Sequence, residues 1–285
     1  MDGRSPLAAP HASPDGLFDD HAMIRRVHRE RLVMLHGPRA LLLQAAHPLA
    51  FRGFWSATEV QETALAQARL RRTAEAMATA VFGSASDAER MGERIRAVHA
   101  RIGGRLSEAA GPWPAGTRWR ADDPELLLWI LAALVDSAML VHDRFVRPLR
   151  PEERAAFWRD YRVVGELFGL DSSAVPRTIG AFDAYVAETL ASDRMVVLPE
   201  AREAARRIVL DPPVPPALRP AVEVANLVTA TLLPRGLRRA FGLRTPPGTG
   251  LATGALATWS RHVLRPVLPT GLAWTPHGSP APLAA

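Results

Sequence analysis

The chain has 285 residues, 48% apolar and 22% charged, an ordinary globular balance that excludes whole-length disorder or a fibrous repeat. It contains no cysteine, which excludes disulfides, thiolate metal sites, iron–sulfur clusters and a cysteine nucleophile. The formal net charge is +6, and all 35 basic residues are arginine, so Schiff-base and Walker-lysine chemistry are excluded too.

Residues 1–20, with Pro6, Pro10 and Pro14, read as a flexible arm with neither a periodic apolar face nor a signal-like run. Residues 21–36 predict a first helix, ended at His36-Gly37-Pro38. Residues 39–54 predict a second, broken at Pro48. Glu59 to Phe82 predicts a third, with Leu70, Ala74, Met77, Ala78 and Val81 at helical spacing and Gly83 as its stop. Ser86 opens a fourth that runs to about Leu106, loosened at Gly103-Gly104. Trp113 to Trp119 is a turn-rich connector.

Asp122 or Asp123 caps the next helix, with Pro124 at an early position and Glu125 near the positive end of the dipole. This helix holds the longest apolar run, Leu126 to Val141, which is shorter than a bilayer span and carries Asp136. Pro151-Glu152-Glu153 opens a helix ending near Gly169. Further helices are predicted at 177–192, 199–209, 218–241 and 252–267. Period-two alternation between hairpin turns is missing. The reading is all-α: one helical domain over 21–267, with a Pro-rich tail over 268–285. With no targeting segment and no bilayer span in view, a cytoplasmic protein without a transmembrane segment is expected. The arginines are scattered and few aromatics stand among them, so nucleic acid is not an expected partner.

Three groups of residues invite chemistry. His99 stands among Ile95, Ile102 and Gly103 at helical spacing, so its ring lies on or beside an apolar face. It reads either as a core histidine hydrogen-bonded to a carbonyl or as an axial ligand to a haem iron, with Gly92 and Gly103 giving a flat macrocycle room. Arg69, Arg72 and Thr73 share one side of the third helix, as a solvated face or as a polar patch in a cavity. Asp136 sits among Ala132, Ala133, Met139 and Leu140 and needs a partner, structural or functional. His47 reads as satisfying a carbonyl freed by Pro48, and His142-Asp143 closes the apolar helix, where a cation suits the dipole. His21, His28 and His36 fall at one helical face with no recurring carboxylate.

Several blocks in order carry a family resemblance. They are Arg39-Ala-Leu-Leu-Leu-Gln-Ala-Ala-His47-Pro48, Arg69-Leu-Arg-Arg-Thr73, Val81-Phe82-Gly83, Val98-His99-Ala100 and Asp123-Pro-Glu-Leu-Leu-Leu-Trp129, continued by Val135-Asp136-Ser137 and Phe145-Val-Arg-Pro-Leu149. Over roughly residues 22–245 the sequence resembles the MpaB/rubber oxygenase catalytic domain family. The resemblance implies a globin-like helical core around haem b, and dioxygen chemistry on a hydrophobic, isoprenoid type of substrate. It implies His99 as the axial iron ligand, with Arg69 and Thr73 as catalytic residues donating hydrogen bonds to dioxygen. Arg72 stands where the family's distal lysine does. A guanidinium stays charged, so pairing with a haem propionate is the role expected of it. Trp129 is followed by Ile130-Leu131 where many relatives place a histidine. Glu59 and Glu62 lie only in the neighbourhood of the glutamate proposed as the family's base.

The leading expectation is a haem-b-dependent oxygenase taking a hydrophobic small molecule and O2. The alternatives are a non-enzymatic all-α binder of an apolar ligand or a membrane surface, and a haem-free metal enzyme using His142 and Asp143.

Overall fold

The computed structural model describes residues 16–58 and 63–275. Its first helices are α1 (Met23–His28), α2 (His36–Ala45), α3 (Pro48–Thr58), α4 (Thr63–Phe82) and α5 (Ala85–His99). Strands β1 (Gly103–Arg105) and β2 (Arg118–Arg120) follow, then α6 (Pro124–Phe145), α7 (Pro151–Leu167), α8 (Ile179–Ala191) and α9 (Pro199–Ala204). The last elements are α10 (Arg219–Leu232), α11 (Arg235–Ala240), α12 (Thr249–Trp259), α13 (Arg265–Val267) and α14 (Thr270–Ala273). Two π turns, Ala205–Leu210 and Ser260–Leu264, continue α9 and join α12 to α13. The protein is an all-α single domain with one small hairpin.

The apolar run becomes α6, whose start is fixed by Asp123: its carboxylate accepts from the amides of Glu125 (2.9 Å) and Leu126 (3.4 Å). Proline at the first helical position removes an amide that would have had no partner. α6 is long and apolar enough to cross a bilayer, and most of it is buried inside the molecule. It packs most extensively on α2, with α7, α8 and α12 also against it. Trp129, Phe157, Trp158, Tyr161 and Phe182 are fully enclosed in the resulting core.

Asp136 finds its partner here. Arg39 of α2 donates to the Asp136 carboxylate at 2.7 Å, to Ser137 Oγ at 2.7 Å and, through Nε, to the Leu232 carbonyl at 3.0 Å. One guanidinium thus ties α2, α6 and α10, and the carboxylate serves the core.

Several boundaries differ from the sequence reading. The first predicted helix splits: a 3-10 turn spans Arg31–Leu35, and His36-Gly37-Pro38 begins α2 instead of ending α1. Proline is tolerated there because first-turn amides have no intrahelical acceptor. α5 stops at His99, well before Leu106, because Gly103 and Gly104 enter the hairpin opposite Arg120 and Trp119. Pro234 divides the predicted 218–241 helix into α10 and α11. Leu17 and Phe18, assigned to the arm from sequence, are buried in the core, and within the predicted tail Thr270–Ala273 forms α14 with Ala273 buried.

Candidate functional site

A cavity of about 630 Å³ lies between α2, α3, α4, α5, α6 and the α9 π turn. That volume falls within the range of small-molecule sites, ~300–1,000 Å³. Its walls are mostly aliphatic: Leu41, Leu42 and Ala45 from α2, Leu126, Ile130 and Leu134 from α6, Ile208 and Val209 from the π turn. Among the described residues the polar lining consists of Gln44, Arg69, Arg72, Thr73, Arg94 and His99, with no acid among them. Gln44 is satisfied by the Ile130 carbonyl at 3.1 Å.

Of the residues singled out from sequence, His99, Arg69, Arg72 and Thr73 therefore meet at one cavity, whereas Asp136, His47, His142 and Asp143 lie outside its lining. Arg69, Arg72 and Thr73 enter it from α4, whose lining face (Leu65, Arg69, Arg72, Thr73, Ala76) follows the helical repeat. His99 is the last residue of α5 and reaches the cavity beside Ile95, Val98 and Ile102. Arg94, not singled out from sequence, belongs to the same lining. The signal was available, because Met91, Arg94 and Val98 stand at i, i+3 and i+7 on the His99 side of α5.

Histidine environments separate His99 from the rest. His47 caps α3: its Nδ1 accepts from the Ala50 amide at 3.4 Å, and its ring lies 4.8 Å from that of Trp113. The sequence reading had it satisfying a carbonyl instead; an N-terminal turn offers free amides, not free carbonyls. His142 Nδ1 donates to the Arg147 carbonyl at 2.9 Å and His36 Nδ1 to the Val33 carbonyl at 2.6 Å. His28 Nε2 is hydrogen-bonded to the Tyr161 hydroxyl at 2.6 Å. His99 Nδ1, in contrast, is buried without a hydrogen-bond partner among the described residues. The carbonyl bond expected of a core histidine is missing at that nitrogen.

Burial holds the His99 pKa below its usual value, the Arg69 charge pushes in the same direction, and Asp122 opposes them. The imidazole is thus neutral near pH 7, as a ligating ring has to be. Arg69 is pushed down to about 10 by burial and by the neighbouring Arg72 charge, which leaves it a poorly hydrated cation. Arg72 and Arg94 are exposed at the rim, and no ion pair among the described residues engages either. The Thr73 hydroxyl donates back to the Arg69 carbonyl at 3.1 Å, so in this arrangement it offers the cavity lone pairs and not a proton.

Other sequence expectations fail. Gly92 does not face the cavity: a Cβ there would stand 2.7 Å from the Leu167 carbonyl oxygen, so this glycine admits α7. Gly103 is in β1, 3.0 Å from the Trp119 carbonyl oxygen by the same measure. The glycines lining the cavity are Gly53 of α3 and Gly165 of α7, and at Gly165 a Cβ would crowd Leu131 at 3.0 Å. His142 and Asp143 do not form a metal pair. Asp143 accepts from the Leu149 amide at 2.7 Å while His142 bonds elsewhere, and among the described residues no three metal-binding side chains gather. His142 is a buried neutral ring with its pKa pushed down to about 4 by burial, not a cation on the helix dipole. Glu59 and Glu62 lie outside the described residues.

An all-α domain around a largely aliphatic cavity with a cationic polar end defines the class of helical proteins to which this fold and site belong. The family model described as ER-bound oxygenase mpaB/B′/rubber oxygenase, catalytic domain, matches residues 25–262, and the chain belongs to that family. No curated protein and no solved structure matches it.

Proposed function

We propose that the protein is a haem-b-dependent oxygenase acting on a hydrophobic, unsaturated small molecule. The observation that carries this reading is the unpartnered His99 Nδ1 on a ring lining an aliphatic cavity, while four other histidines withdrawn from solvent each have a partner. The lining fits a haem in three respects. A neutral imidazole is available for the iron, aliphatic walls suit the macrocycle, and Arg72 and Arg94, which pair with no acid among the described residues, suit its two propionates.

Bound haem would supply the iron chemistry by which an oxygenase activates dioxygen. His99 would hold the iron. Arg72 and Arg94, without an ion pair among the described residues, would take the propionates and orient the ring. Arg69, buried deeper and kept charged with its pKa at about 10, would offer hydrogen bonds and a fixed positive charge where negative charge develops. Thr73 would assist as an acceptor, its proton being held by the Arg69 carbonyl. The aliphatic walls would exclude water and seat the apolar substrate.

Haem titration followed by absorption is the test. The wild-type chain is expected to give a Soret band, and His99→Ala to lose it while keeping its helical circular dichroism. Full haem occupancy in His99→Ala would overturn the ligand assignment. A chain that takes up no haem at all would overturn the proposal.

A further inference from the structure

The run from Thr249 to Val267 departs from the usual logic of helices. α12 is apolar all round, and such a helix normally sits inside a core or in lipid. Here only Thr249 and Ala257 of α12 are buried. Leu251, Ala255, Trp259, Val263 and Val267 are all exposed and follow one another at four-residue spacing through the π turn, with Leu251 83% and Val267 72% exposed. No acidic residue occurs between 249 and 267. Beyond Val267 the chain passes to an open pocket of about 430 Å³, lined by Leu32, Met34, Leu35, Leu268 and Leu272.

The C-terminal part of the sequence is also cationic. Residues 212–285 contain seven arginines against one glutamate, a surplus of six that equals the formal charge of the whole chain. Arg235, Arg238, Arg239, Arg244 and Arg261 have no ion pair among the described residues.

We infer that the Thr249–Val267 face docks on an anionic lipid bilayer. An exposed apolar stripe, a half-exposed tryptophan and unpaired arginines without acids are the features that seat a helix in a bilayer interface. The stripe enters the acyl boundary while the cations meet the headgroups. The apolar pocket beside Leu268 and Leu272 suits one acyl chain. A second copy of the chain is the weaker occupant, because face-to-face pairing would bring two such surpluses of positive charge together. This inference stands apart from haem and from His99.

The test is sedimentation of the purified chain with vesicles of phosphatidylcholine alone and of phosphatidylcholine mixed with phosphatidylglycerol. The wild type is expected to bind the mixed vesicles at low salt, to release as salt rises, and to leave the neutral vesicles largely unbound. The triple variant Leu251→Glu, Val263→Glu, Val267→Glu is expected to bind at least about tenfold more weakly, with unchanged helical circular dichroism. If that variant does not fold, the milder pair Leu251→Ser, Val267→Ser carries the comparison. Failure of the wild type to bind anionic vesicles would overturn the proposal, as would equal binding by a folded stripe variant. A wild-type dimer that the stripe substitutions convert to monomer would assign the face to a second copy instead.

Discussion

Arg39 illustrates how much one side chain can bear. It serves Asp136, Ser137 and the Leu232 carbonyl together from an almost fully enclosed position. Arg39→Met keeps the volume but leaves a carboxylate, a hydroxyl and a carbonyl short of a donor. The expected cost is about 2–4 kcal/mol, less than for a fully buried pair because the Asp136 side chain keeps some solvent contact. Asp136→Asn is expected to cost less, since the amide oxygen still accepts, and urea unfolding of both variants measures the difference. That Asp136 needs a partner was legible, because a carboxylate among alanine, methionine and leucine cannot stay unpaired. That the partner is Arg39, 97 positions away, was not, since sequence spacing carries no information on which arginine arrives. His99 followed the same pattern. Its apolar neighbours marked it, but only the missing partner at Nδ1 separates it from His28, His36, His47 and His142.

Helix periodicity was readable in α4, α6, α7 and α8 because each holds a long face with the 3.6 repeat and a recognisable start. Short connectors were not, since Gly37-Pro38 and Gly103-Gly104 are compatible with a stop, a first turn or a strand until tertiary contacts decide. The most consequential of these misreadings concerned the glycines near His99. Gly92 lets α5 approach α7 closely, with the Leu167 carbonyl held there by Arg96 Nη1 at 2.5 Å. Gly92→Ala gains helix propensity of about 1 kcal/mol but forces the two helices apart, for a net loss of about 1–2 kcal/mol. Because His99 ends α5, the same shift is expected to weaken haem uptake. Parallel denaturant unfolding and haem titration of Gly92→Ala check both effects, and unchanged stability would mean that Leu167 yields without strain.

The molecule as a whole carries a load of withheld protons. Burial pushes His28 down to about 3, aided by the nearby His36 and His142, and pushes His47 and His142 down to about 4. In the unfolded chain these rings take up protons near pH 6.5, so between that pH and about 4 the unfolded state binds more protons than the fold does. Stability is therefore full above about pH 7 and declines as pH falls, on the order of 1 kcal/mol per pH unit for each such ring. Glu153, held well below the usual carboxylate range by hydrogen bonds from Arg147, adds a further loss once pH drops below about 4.5. Thermal melts are expected to show a flat midpoint above about pH 7 and a steep decline through pH 6 to 4; a midpoint unchanged to pH 5 would contradict these burials. The cavity imposes an order of events as well. Its walls are drawn from Leu41 through Val209, so a nascent chain that has delivered α2 to α6 still lacks the side supplied by the π turn. No bulky guest can be sealed in until Val209 has left the ribosome, which makes the loading of any guest a late step in the protein's biogenesis.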